Sequence, residues 1–106
     1  MSQKEVIGII KAYLKVLEKE GISVEKAFLY GSYARNEAGE SSDIDLLLVS
    51  SLFDTDDDYI LSKPWLYTGQ VDYRIEPLAV GSKRFRTDDV TPIIDIVKKE
   101  GIEICR

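Results

Sequence analysis

Two short groups of residues carry whatever chemistry this sequence could do. Gly31-Ser32 follows the run Ala27-Phe28-Leu29-Tyr30, and Asp43 and Asp45 flank Ile44 at the head of Leu46-Leu47-Leu48. Ten residues, Tyr33 to Ser42, lie between the Gly-Ser pair and Asp43. Glycine lets backbone approach a ligand closely, serine can cap a following short helix, and the N–H groups of a helix start favour phosphate. Asp43 and Asp45 stand two apart at the start of an apolar strand, so both carboxylates face the same side. Two carboxylates held together repel, a cost that a hard divalent cation between them would remove. A phosphate cradle beside a carboxylate-held cation is the equipment of phosphoryl or nucleotidyl transfer.

Composition narrows the alternatives. The 106 residues suit a single domain, 1–106, with one core. Hydrophobic content of 44% and charged content of 31% are those of an ordinary globule. A net charge of −5 argues against bulk electrostatic binding of nucleic acid, which needs a positive footprint. A phosphate-bearing substrate would have to arrive with its metal. The chain has no histidine, which removes Ser-His-Asp and Cys-His catalysis, His-ligated zinc and an imidazole base. Chemistry must then rest on carboxylates, Lys, Arg, Tyr or Ser. A single cysteine, Cys105, excludes an intrachain disulfide and fits a reducing compartment. No apolar run approaches the ~20 residues of a membrane span, and the N-terminus leads into an amphipathic helix, so a cytoplasmic location is expected.

The elements that must position these residues are legible in outline. Ser2 and Glu5 have capping-box spacing, and Val6, Ile9, Ile10, Tyr13, Leu14 and Leu17 recur with helical period before Gly21. Val24–Tyr30 reads as the first strand, Ser32 to about Asn36 as a short helix, and 37–42 as a polar loop. Asp43–Ser50 reads as a central strand, apolar on both faces beyond the aspartates. Asp54, Asp56, Asp57 and Asp58 precede Tyr59-Ile60-Leu61 as acids precede a helix, and Pro64 ends or kinks it. A calcium loop is the sharper reading of that cluster, but its Gly and late Glu are missing. Val71-Asp72-Tyr73-Arg74-Ile75-Glu76 alternates strictly and predicts a third strand bounded by Pro77. Residues 80–86, with Lys83, Arg84 and Arg86, read as loop. Thr91 and Pro92 open a helix that Gly101 closes, and Ile102-Glu103-Ile104 reads as an edge strand. The expected fold is α/β (α+β): a small mixed sheet with helices packed mainly on one face.

Gly31-Ser32, the ten-residue spacer and Asp43-x-Asp45 resemble the signature of the minimal nucleotidyltransferases, in the DNA polymerase β-like superfamily. The likeness runs from the first helix to the strand around Asp72. It implies a metal-dependent transfer of a nucleoside monophosphate, AMP from ATP, to a hydroxyl, with Mg²⁺, two ions, as cofactor. It also implies that Asp72 supplies the third carboxylate beside Asp43 and Asp45, as metal ligand and proton acceptor. Glu76 shares that face but lies roughly 13 Å along an extended strand, and is the second candidate. Gly31, Ser32 and Arg35 would then meet the nucleotide phosphates. Minimal nucleotidyltransferases resemble the antitoxins paired with helical HEPN toxins, so an HEPN-type partner or a homo-oligomer is implied.

Each assignment has a bland counterpart. Asp43 and Asp45 could be a polar strand start, although aspartate is depleted in strands. Asp72 could pair with Arg74, Gly31 could be a turn, Ser32 a cap and Arg35 a surface cation. The stripe Tyr59, Ile60, Leu61, Trp65, Leu66, Tyr67 could be core, a base-stacking platform or a partner surface. Two further functions compete: a binding module that neutralises a partner by contact alone, and nucleotidyl transfer to a small molecule.

Overall fold

The fold is described for residues 1–105 from a computed structural model. Helix α1 spans Gln3–Lys19. Its capping box closes as predicted: Glu5 N donates to Ser2 Oγ and Ser2 N donates to Glu5 Oε1, both at 3.1 Å. Such a cap stabilises a helix start by about 1 kcal/mol. At the other end Gly21 takes a left-handed conformation (φ 83°), and Ile22 N reaches back to Leu17 O at 2.8 Å. The helix buries Val6, Ile10, Tyr13, Leu14 and Leu17.

Four strands form one mixed sheet in the order β3-β2-β1-β4, where β1 is Lys26–Tyr30, β2 Ile44–Ser50, β3 Ile75–Gly81 and β4 Ile102–Glu103. β1 runs antiparallel to β2 and β4, and β2 runs parallel to β3. β2 is central, which explains its unbroken apolar run. Ile44, Leu46 and Leu48 face α1 in the larger core cluster, with Ala27, Leu29 and Ile75. Leu47 and Val49 face the opposite way and join Phe28, Val80, Phe85, Ile94 and Val97 in a smaller cluster. Truncating any of the fully buried leucines of β2 to alanine should cost about 2–5 kcal/mol.

Residues between β2 and β3 form a 3-10 turn at Ser51–Phe53, helix α2 at Asp58–Ser62 and a 3-10 stretch at Lys63–Gln70. Asp57 caps α2 by accepting from Tyr59 N at 2.9 Å, so the acidic cluster serves in part as the helix start expected of it. The buried Tyr13 hydroxyl donates to Pro64 O at 2.5 Å and ties the 3-10 stretch to α1. Helix α3, Ser82–Thr87, and α4, Pro92–Glu100, lie against the second face through Phe85, Ile94 and Val97. Both faces therefore carry helices. The α1 side is the more heavily covered, in keeping with the predicted mixed α/β fold.

Three local expectations are corrected. The third strand begins at Ile75, not Val71, and runs through Pro77 to Gly81. β3 is an edge strand, where a residue without an N–H costs no ladder hydrogen bond. Residues 80–86, expected as loop, instead end β3 at Gly81 and enter α3, fixed by Phe85 stacking on Phe28 with ring centroids 5.2 Å apart. Residues 32–36 form a run of turns, not a helix. No helix among the described residues is long and apolar enough to cross a membrane.

Candidate functional site

The side-chain alternation of β2 decides where the aspartates point. Leu47 and Val49 belong to the second face, so Asp45 points there too, and Asp43 lies two residues earlier at the strand entrance. Pairing with neighbouring strands places Tyr30 opposite Asp45 on β1 and Glu76 opposite Asp45 on β3. Helices α3 and α4 cover the Leu47–Val49 end of this face, while Asp43 and Glu76 remain exposed and Asp45 half-buried. Three carboxylates and a phenol thus share the uncovered end of the sheet.

The Gly-Ser turn lies directly over them. Gly31 has φ 77°, and a Cβ built there would run into the Asp45 carboxylate, with Asp45 Cγ at 3.2 Å. Glycine is required twice, by its conformation and by the closeness of the carboxylate. Arg35 N donates to Gly31 O at 3.2 Å and Glu37 N to Ser32 O at 2.9 Å, and Gln3 Nε2 of α1 donates to Tyr33 O at 3.0 Å. The turn is therefore fastened to α1 and closed by its own backbone bonds, with Gly31 packed close against Asp45 and no helix behind Ser32. Arg35 is held by Glu37 at 3.2 Å and by Glu100 of α4 at 3.7 Å, on the same side as Asp45.

Protonation follows this crowding. Burial pushes the Asp45 carboxyl above its ordinary value, Asp43 pushes it further, and Arg35 opposes both. Glu76 is also pushed up, by lost hydration, by the nearby Asp43 carboxylate and by Asp45. The Tyr30 phenol is pushed up to about 12 by burial and then by Asp45 and Glu76. It stays protonated at neutral pH and can donate a hydrogen bond.

Asp72 has a different environment. It sits in the turn before β3, with its N–H donating to Thr68 O at 2.8 Å. Its carboxylate accepts from Arg74 Nη2 at 2.6 Å, Arg74 Nε at 3.0 Å and Arg74 N at 2.9 Å. The side chain is only 11% exposed, and these bonds hold its carboxyl below the usual value. Asp72 and Asp43 line one cleft of about 500 Å³ together with Glu40, Ser41, Val71, Tyr73 and Arg74. The two strand-entrance aspartates are thus brought together with Glu76, whereas the Asp72 carboxylate is engaged by Arg74. The resemblance puts Asp72 first, and a strand drawn from Val71 puts Glu76 roughly 13 Å further along; with the strand beginning at Ile75, Glu76 pairs level with Asp45. Tyr30 carries no role in the sequence reading, because its place opposite Asp45 depends on the β1–β2 register.

The donor set is of the kind a hard cation takes: oxygen ligands only, with a like-charge repulsion that Arg35 offsets only in part. Among the described residues no three carboxylates are already gathered as a metal-holding group, so the cluster is a set of mutually repelling neighbours and not a closed cage.

Residues 9–104 match the model of the nucleotidyltransferase domain family. A protein of Methanocaldococcus jannaschii named as a putative protein adenylyltransferase is 46% identical over 44 residues, which is 42% of this chain and 44% of that protein. The matched stretch thus spans less than half the length of that curated relative. The crystal structure of a putative nucleotidyltransferase from Sulfolobus solfataricus superposes with a TM-score of 0.66 over 95% of this chain and 80% of that one, at 13% identity, which speaks for the fold. Joined to a glycine turn seated on a strand-entrance aspartate, the match along nearly the whole sequence means that this chain belongs to the nucleotidyltransferase domain family.

Proposed function

We propose that the protein transfers a nucleoside monophosphate from a nucleoside triphosphate, ATP foremost, to a hydroxyl group of a protein acceptor. The observation that carries this reading is the seating of the Gly31 turn on Asp45, with Asp43 and Glu76 beside it on the open end of the sheet. Asp43, Asp45 and Glu76 would hold a divalent cation, Mg²⁺ and in the full complex two ions. When bound, that cation neutralises phosphate charge and lowers the cost of the displacement. The chain's own residues do the rest. The Gly31-Ser32 backbone lies where phosphate oxygens would approach, Arg35 can exchange its Glu100 partner for phosphate, and Tyr30 can donate a hydrogen bond from the floor. A carboxylate of the cluster whose proton affinity is already raised is suited to accept the acceptor's proton. Asp72, expected from sequence to complete the set, serves in this reading to fix the turn that leads into β3.

The acceptor is proposed to be a partner protein, because the curated relative is named for protein adenylylation. Tyr59 of α2 and Trp65 and Leu66 of the 3-10 stretch are exposed, at 66%, 49% and 64%, and offer an apolar band for such a partner if it covers both elements. An HEPN-type helical toxin with the antitoxin role for this chain is the partner the sequence resemblance implies. The same band also suits neutralisation by contact alone. Incubating the protein with labelled ATP, magnesium and the product of a neighbouring gene separates the two. Label on the partner that disappears in Asp45→Asn supports transfer. Neutralisation that persists unlabelled, with Asp45→Asn equal to wild type, would establish contact alone.

A further inference from the structure

We propose that Tyr73 is itself an acceptor, so that the protein transfers a nucleoside monophosphate to its own Tyr73 hydroxyl. The inference rests on the transfer reading above and deepens it by naming a substrate on this chain. Tyr73 is 83% exposed, so its ring contributes little to the core. An isolated exposed aromatic would mean nothing by itself; its placement distinguishes it. Tyr73 lines the same 500 Å³ cleft as Asp43.

The backbone that carries Tyr73 is pinned from both sides. Ile75 N donates to Asp72 O at 3.2 Å across the turn, and Arg74 N donates to Asp72 Oδ1 at 2.9 Å. The Arg74 guanidinium clasps the same carboxylate at 2.6 and 3.0 Å. Ile44 N, between the two aspartates, donates to Arg74 O at 2.9 Å. A phenol is thus presented at the tip of a fixed turn whose next residue is hydrogen-bonded to the strand entrance. Preorganisation of this kind converts an encounter between two molecules into a step within one.

The step balances without any oxidant or further reagent. The Tyr73 oxygen attacks the α-phosphorus of a bound nucleoside triphosphate, and an oxygen–phosphorus bond forms. The bond from that phosphorus to the oxygen bridging to the β-phosphate breaks, and pyrophosphate leaves. The phenolic proton passes to a cluster carboxylate and then to water. The product is a tyrosyl phosphodiester at the mouth of the Asp43 cleft.

The test is intact-mass measurement and peptide mapping after incubation of the purified protein with MgATP. One added nucleoside monophosphate, less one water, located on Tyr73 is expected, and neither Tyr73→Phe nor Asp45→Asn should acquire it. Tyr73→Phe should still gain thermal stability from magnesium with a nonhydrolysable ATP analogue, as wild type does, because mass action needs only binding. Equal labelling of Tyr73→Phe, or label located elsewhere, overturns the inference. So does an unlabelled wild type that binds the nucleotide and modifies a partner, an outcome that leaves the transfer reading standing. A wild type that neither binds the nucleotide nor modifies any acceptor overturns both.

Discussion

Asp72 and Glu76 are four residues apart, yet their carboxylates lead opposite lives. Asp72 is nearly enclosed and accepts three hydrogen bonds from Arg74, which hold it ionised. Glu76 stands on the sheet beside Asp45 and near Asp43, where lost hydration and both neighbours oppose its charge. One carboxylate stabilises the fold by being satisfied. The other is opposed by its neighbours, a cost that the proposed cation would relieve. The comparison teaches that residue type and spacing nominate a ligand, and that the neighbours of its oxygens are what separate two nominees.

The contrast can be broken by substitution. The largest effect should come from Asp45→Asn, which removes the carboxylate at the centre of the cluster. Nucleotidyl transfer should fall by about 10²-fold or more, while the melting temperature holds or rises slightly because a repulsion has gone. A labelled-nucleotide assay beside a thermal melt reads both, and a clear loss of stability would mean that Asp45 is structural. Next comes Gly31→Ala. The left-handed conformation costs a side chain about 1–2 kcal/mol, and the added Cβ must displace the Asp45 carboxylate. Stability and activity should therefore fall together, which denaturant titration and the same assay would show. An active, fully stable alanine variant would remove the turn from the site.

A smaller effect is expected at Asp72. Asp72→Asn gives up charge-assisted bonds in a partly screened setting, about 1–2 kcal/mol, or roughly 4–15 °C for a domain of this size. Its pH dependence sharpens the comparison. The folded carboxyl of Asp72 is lowered, so its stabilisation is full above the ordinary value near ~4 and fades as pH falls below it. The folded carboxyl of Asp45 is raised, so wild type is at its best relative to Asp45→Asn at acid pH and loses ground as pH rises through that raised value. In melts from pH 3 to 7, the Asp45→Asn difference should open above ~4 and the Asp72→Asn difference should close below it. Two differences that move together would deny that the carboxylates sit in opposite fields.

Much of this was legible in the sequence. The capping box, the periodic apolar face of α1, the triple leucine of a central strand and the aspartates at its entrance are local patterns, and each appears where expected. What stayed hidden depended on pairing at a distance. Strict alternation from Val71 to Glu76 looks like strand, but the Asp72–Arg74 clasp folds its first half into a turn, and the edge position lets Pro77 continue what a proline was expected to end. Helix α3 has six residues and no side-chain cap, so its existence depends on Phe85 finding Phe28, far away in sequence. The Asp45–Glu76 register spans about thirty residues of intervening chain and becomes visible only once β2 and β3 are known to be parallel.

The most direct test sets Glu76→Gln beside Asp72→Asn in one labelled-nucleotide transfer assay, at a temperature where both are folded. Glu76→Gln should abolish transfer and weaken the magnesium-nucleotide thermal shift, while Asp72→Asn keeps both. The opposite outcome, transfer lost with Asp72→Asn and kept with Glu76→Gln, would contradict the account at its centre.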